Sequence, residues 1–199
     1  MQLNLIEPPK SEIITTEEAK NYLRIDHDFD DDLIRSFIKA TRQAIESIIQ
    51  KSVMKQTWEY VLDNTSVCKF DFGESDYPSI FSDSLRVPLP KPPVMKILSV
   101  RMNKGEINPD RCTLDLINGK YCLCISGKRL FCDNRKISLS VRYEAGIADR
   151  AENVPYQLKL ANLMLTANAF RERCSCGDEG FISKGVRQLL SPFLNMRVF

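Results

Sequence analysis

The chain holds a single histidine, His27, with Asp26, Asp28 and Asp30 beside it. A serine or cysteine nucleophile needs a base to take its proton, so any Ser-His or Cys-His site must recruit this residue. No G-x-S-x-G elbow occurs to present a serine, and His27 reads as a solvated turn residue. The seven cysteines offer a second chemistry. Cys122 with Cys124, Cys132, and Cys174 with Cys176 contain enough thiols for structural zinc, which takes four ligands. The spacing argues against it. Ligand pairs normally flank a turn, whereas Cys122 and Cys124 fall on one face of a predicted strand. Cys174-x-Cys176 at a helix end fits better but has no obvious second pair, so metal binding there stays open. Neither a Walker loop nor a G-x-G-x-x-G fingerprint is present to hold phosphates. Asp30, Asp31 and Asp32 could hold a divalent ion, but three acids at a helix start are explained by the positive end of its dipole. Lys128-Arg129 and Arg135-Lys136 read as a solvated hairpin end, with a DNA contact as the alternative. No catalytic residue, cofactor or metal site is expected.

The elements that would position any site divide by period. The longest is an amphipathic helix over Asp31 to Ser52, with Leu33/Ile34, Phe37/Ile38, Ala44/Ile45 and Ile48/Ile49 on its apolar stripe. Arg35, Lys39, Arg42, Gln43, Glu46 and Gln50 read as its polar face. At roughly six turns such a stripe needs partner helices. Thr15 to Glu18 open a shorter helix with the pattern of a capping box, and Val154-Pro155 start another that runs to about Cys174. Leu158, Ala161, Leu165 and Ala169 form its stripe, with Leu160 and Met164 alongside.

Between these helices the pattern is β. Val53–Leu62, Val67–Phe72, Val94–Met102, Cys112–Ile117, Tyr121–Ile125 and Ile137–Tyr143 read as strands. Asn118-Gly119 is the strongest hairpin signal. Leu85 to Pro90 reads as an edge or irregular segment, because proline cannot donate to a sheet. Residues 1–12 read as extended, with Pro8-Pro9 blocking regular structure. The expected fold is therefore α+β: a helical bundle from the two terminal segments, 1–52 and 151–199, with an inserted small antiparallel β-sandwich or barrel over 53–150.

Composition narrows the class. Hydrophobic residues make up 43% and charged residues 27% of 199, with a net charge of +2. That is ordinary for a globular protein and gives no basic stripe of the nucleic-acid type. No apolar run approaches the ~18 residues of a membrane span, and the N-terminus lacks the order of a signal peptide. An odd number of cysteines then points to reduced thiols in a cytoplasmic setting. The apolar ending is unusual. Leu189, Leu190, Phe193, Leu194, Val198 and Phe199 would be costly to expose, since burial of each large side chain contributes about 1.5–3 kcal/mol. Either this tail folds back on the helices or it docks on another protein.

Three stretches together resemble the head-tail connector, or adaptor, proteins of tailed bacteriophages, prophages and gene transfer agents. The first is Ile14-Thr15-Thr16-Glu17-Glu18-Ala19 through Asp26, with the acidic turn and long helix after it. The second is Val141-Arg142-Tyr143-Glu144-Ala145-Gly146, then Val154-Pro155 and a helix ending Ala169-Phe170-Arg171-Glu172-Arg173. The third is Gly185-Val186-Arg187-Gln188-Leu189-Leu190-Ser191-Pro192-Phe193. Where the family usually carries an arginine after the aromatic, this chain has Leu194, and Arg197 comes later.

The resemblance implies a structural, non-enzymatic virion protein. It implies a ring of about twelve copies closed by a repeated heterologous interface, under the portal at the head-tail junction and assembled in the bacterial cytoplasm. Such a ring extends the DNA channel without binding specific sequence or membrane, and carries stopper or tail-completion proteins. On this reading Val186, Leu189, Leu190, Phe193 and Leu194 are portal-interface candidates. Leu33, Ile34, Phe37, Ile38, Ile45 and Ile48 are subunit-packing candidates. The rival reading is a cytoplasmic zinc- or DNA-binding accessory protein.

Overall fold

The computed structural model describes residues 1–65, 68–69, 79–81, 84–103, 105–126, 137–172 and 182–194. They form an α+β fold with four α-helices and two sheets, divided into two compact units. One unit is Met1–Pro8 with Gln56–Gly146; the other is Pro9–Lys55 with Ile147–Phe199.

In the helical unit, α1 (Thr16–Leu23) begins as its sequence predicts. The Thr15 hydroxyl accepts from the Glu18 amide, and the Glu18 carboxylate accepts from the Thr15 amide, so two otherwise orphaned donors are satisfied. The longest helix, α2 (Asp31–Ile49), ends earlier than the pattern suggests because Gln50 adopts a left-handed conformation. Pro155 caps α3 (Tyr156–Arg171) from just outside it, and Ser183 caps α4 (Lys184–Leu190), which runs into a short 3-10 turn over Ser191–Phe193. Ile34, Ile38, Ile45 and Ile49 of α2 share one core with Leu158, Ala161 and Leu165 of α3 and with Val186 and Leu190 of α4. Val53 and Met54 also lie in this core. They were expected to open the first strand after the helix, but Met54 instead forms an isolated bridge to Ala148.

Two departures matter inside this core. Arg42 and Glu46, assigned to the polar face by their type, are 1% and 5% exposed. Arg42 Nε donates to Glu12 at 2.6 Å and its Nη1 to Glu46 at 2.8 Å, while Glu46 also accepts the Val53 amide at 2.8 Å. Between α2 and α3, the Thr41 and Thr166 hydroxyls meet at 3.1 Å and Asn162 donates to Thr41 at 3.2 Å. Leu160, placed beside the buried stripe, is 42% exposed.

The β unit has ten strands among the described residues. β1 (Gln2–Glu7), β2 (Gln56–Thr65), β6 (Val94–Met102), β7 (Gly105–Glu106) and β10 (Ile137–Ala145) make one antiparallel sheet in the order β1-β2-β10-β6-β7. The N-terminus is thus paired from Gln2 opposite Val61 to Glu7 opposite Thr57. The second sheet is β3 (Cys68–Lys69), β4 (Ser79–Phe81), β5 (Ser84–Pro88), β9 (Lys120–Ser126) and β8 (Cys112–Ile117) in the order β3-β4-β5-β9-β8. The first pair in it is parallel and the rest antiparallel. Neither sheet closes on itself, so the barrel alternative is corrected.

Both sheets contribute to one core. Tyr60, Leu62, Val100, Leu139, Val141 and Tyr143 of the first meet Leu85, Val87, Leu123 and Ile125 of the second. The alternation of Leu139, Val141, Tyr143 and Ala145, all at most 2% exposed, is the period-2 pattern of a half-buried strand. Asn118 and Gly119 both take positive φ, as the tight turn joining β8 and β9 requires. β5 is not an edge strand. It lies between β4 and β9 because Pro88 is its last residue, and pairing resumes beyond it where the Leu89 amide donates to Tyr121 at 2.8 Å.

Candidate functional site

The residues with catalytic or metal-binding potential are dispersed. His27 packs its ring against Phe29, with centroids 5.7 Å apart. The acidic turn is partly neutralised from within the unit, since Lys20 pairs with Asp28 and, at 3.0 Å, with Asp31. The hydrogen bond from Lys20 holds the Asp28 carboxyl below its usual range. Cys122 and Cys124 are buried on one face of β9, opposite Asp115 and Thr113 of β8. Burial first, and then Asp115, push the Cys124 thiol up to about 12. Burial thus favours the protonated thiol at Cys124. Among the described residues, no group of three or more His, Cys, Asp or Glu side chains is placed to hold a metal ion. Cys132, Cys174, Cys176, Lys128, Arg129, Arg135 and Lys136 lie outside the described residues, as do Arg197, Val198 and Phe199.

The apolar candidates divide by exposure. In α4, Val186 and Leu190 are fully buried in the helical core. Leu189 and Phe193 are partly buried against it, and Leu194 is 40% exposed. The helical period explains the split: Val186 and Leu190 are four apart and face inward together, while Leu189 sits at the margin. The tail as far as Leu194 folds back, and only its rim is left to meet anything else. In α2, Ile34, Ile38 and Ile45 are buried in the same core and Ile48 packs against it. Leu33 is exposed and Phe37 half-buried, four residues apart on the outer side. Tyr156 and Leu160, also four apart, leave a second exposed apolar ridge on α3. Ile34, Ile38 and Ile45 are already occupied within the chain, which leaves Leu33 and Phe37 as the α2 candidates on the outer side.

The first sheet also turns a polar face outward. Glu59 accepts from Arg142 Nε at 2.9 Å and from the Ser140 hydroxyl at 3.2 Å. Its carboxyl is held below the ordinary range, chiefly by Arg142. These cross-strand pairs were not read from the sequence, since their partners lie more than eighty positions apart. Only the alternation of β10 pointed to one side of the pairing.

No curated protein matches the sequence. The fold is similar to chains in solved structures of gene transfer agent (GTA) particles. A chain in the neck of an empty GTA particle, computed with C6 symmetry, is 18% identical with a TM-score of 0.74. One from the virion of a native GTA particle gives 18% and 0.73, and one from the native neck, computed with C12 symmetry, gives 18% and 0.71. Each comparison covers 100% of this chain and 98% of the other. Residues 12–181 match the model of the head completion protein family, across both the helical and the β unit. Because that match spans most of the 199 residues, the chain belongs to the head completion protein family.

Proposed function

We propose that this chain is a structural subunit of the head-tail junction: a connector that forms a ring beneath the portal, extends the DNA channel and gives stopper or tail-completion proteins their attachment. The observation that carries this reading is the family match over residues 12–181. The full-length likeness of fold to proteins of GTA necks, solved with C6 and C12 symmetry, supports it. In the finer arrangement we infer, the segments Pro9–Lys55 and Ile147–Phe199 give a helical bundle and Gln56–Gly146 a small inserted β-sandwich, with the N-terminal Met1–Pro8 joining the sandwich and not, as the sequence suggested, the bundle. Rotational symmetry closes a ring when one surface of a subunit meets a different surface of the next. The Leu33 and Phe37 ridge is our candidate for one such surface. A net charge of +2 suits a conduit, because a strongly basic lining would hold passing DNA through its phosphates. No cofactor and no reaction are needed, assembly takes place in the host cytoplasm, and no membrane is involved.

For the portal we assign the rim of the tail, Leu189, Phe193 and Leu194, and not the buried Val186 and Leu190. Leu194→Asp combined with Leu189→Gln is expected to weaken capture by the portal at least about tenfold, with the circular dichroism of the chain unchanged. Undiminished capture by a folded double variant would contradict the portal assignment.

A further inference from the structure

Among the described residues, the first sheet ends on two strands with unpaired outer edges. Among the described residues nothing pairs with β1 on its far side. At the other end, β7 covers only part of β6, with Arg101 opposite Glu106, Met102 opposite Gly105 and the Ile107 amide donating to Val100. The Val94–Ser99 stretch of β6 is left unpaired on that side by any described strand. Open edges present a row of backbone donors and acceptors, and proteins normally guard them with charge, proline or bulges.

The β1 edge carries one bulge and the β6 edge two, and each bulge exposes a large apolar side chain. In β1, Leu5 lies opposite Trp58 and Glu7 opposite Thr57, so Ile6 is the extra residue. In β6, Ser99 lies opposite Arg142 and Ile97 opposite Tyr143, so Leu98 is an extra residue; Met95, between Lys96 opposite Glu144 and Val94 opposite Ala145, is a second, just outside the Lys96–Ser99 stretch. Ile6 is 41% exposed and Leu98 45%. A bulge deters indiscriminate pairing because a regular strand cannot follow it. A strand with a bulge at the matching place can.

We infer that β1 of one subunit pairs with the open half of β6 in a second copy, joining the first sheets of neighbouring subunits. The strand order alternates direction from β1 through β2 and β10 to β6. β1 and β6 therefore run oppositely, and copies related by rotation about an axis pair antiparallel without inverting a subunit. One register satisfies both ends of the contact. It sets Glu7 opposite Lys96 and Asn4 opposite Ser99. All four belong to the polar face of the sheet: Glu7 and Asn4 through their partners Thr57 and Glu59, Lys96 and Ser99 through theirs, Glu144 and Arg142. Each strand has one extra residue between these points, so the faces stay in phase. Leu5, 42% exposed, then lies opposite Leu98. Glu7 is the only charged residue of β1, whereas β6 carries Lys96 and Arg101, so the charges are complementary. Opposite charges and apolar pairs facing one another are the units of sheet stabilisation.

This inference rests on the ring reading, and the experiment separates the two. Wild type, Leu5→Lys and Leu98→Lys are compared by native mass, with circular dichroism to establish that each remains folded. Each variant is expected to raise the concentration at half-assembly at least about tenfold. A double variant, Asn4→Cys with Ser99→Cys, treated with a mild oxidant under assembling conditions, is expected to give a covalent ladder beyond the wild-type background. Neither single variant should do so. Normal rings from both lysine variants, or no ladder from an assembled double variant, would overturn the edge pairing and leave the ring standing. Covalent dimers from a single cysteine variant would also overturn it, since they would mean that like edges meet. A wild type that never assembles, alone or on its portal, would overturn the ring reading and this inference together.

Discussion

Replacing Arg42 with leucine is expected to destabilise the helical unit by about 3–5 kcal/mol, the usual loss when one partner of a buried ion pair is removed. The guanidinium is 1% exposed and joins two segments distant in sequence, Glu12 before α1 and Glu46 on α2. Without it Glu46, 5% exposed, loses the guanidinium that balances its charge inside the core. A leucine fills much of the volume but cannot offset that charge. Urea unfolding followed by far-UV circular dichroism measures the effect. Adding Glu46→Gln to Arg42→Leu is expected to recover part of the loss, because the buried carboxylate charge goes with it. A single variant within about 1 kcal/mol of wild type would mean that the pair contributes no more than an exposed one does.

The second large effect is at the other end of the chain. Leu190→Ala is expected to cost about 2–5 kcal/mol, through lost burial and the cavity left behind. Leu190 and Val186 are fully buried beside Ile34, Ile38 and Leu165. Removing everything from Val186 onward therefore opens the helical core, and such a truncation is expected to unfold the unit. The sequence leaves two readings for this segment, folding back on the helices or docking on another protein, and as far as Leu194 it folds back. Denaturant midpoints of Leu190→Ala and Leu194→Asp separate the roles: a large shift for the first and little for the second. Equal, small shifts would contradict the assignment of Leu190 to the core.

What the sequence makes legible here is local. The Thr15 and Glu18 cap, the Asn118-Gly119 turn and the alternation along β10 depend on residues a few positions apart, and each forms as expected. The pairing of Gln2 with Val61 joins segments that local pattern cannot connect, so residues 1–12 read only as extended. Pro88 suggested an edge because its missing N–H is a local fact, while its place as the last residue of an interior strand is a tertiary one. Arg42 and Glu46 were assigned outward by residue type. Their i, i+4 spacing was the available signal that they could be buried as a pair. The candidate surface was similarly half legible. Composition marks Val186, Leu189, Leu190, Phe193 and Leu194 as apolar, but which of them remain outside depends on the phase of α4 against α2 and α3. The matched bulges of β1 and β6 leave no sequence signature, because a bulge is defined by the strand opposite it.

The measurement that tests the central claim most directly is the native mass of the purified chain, alone and mixed with its portal. The account predicts a closed ring of about a dozen copies, formed alone or templated by the portal, since a repeated heterologous contact must close or grow without limit. A chain that stays monomeric in both conditions would contradict it.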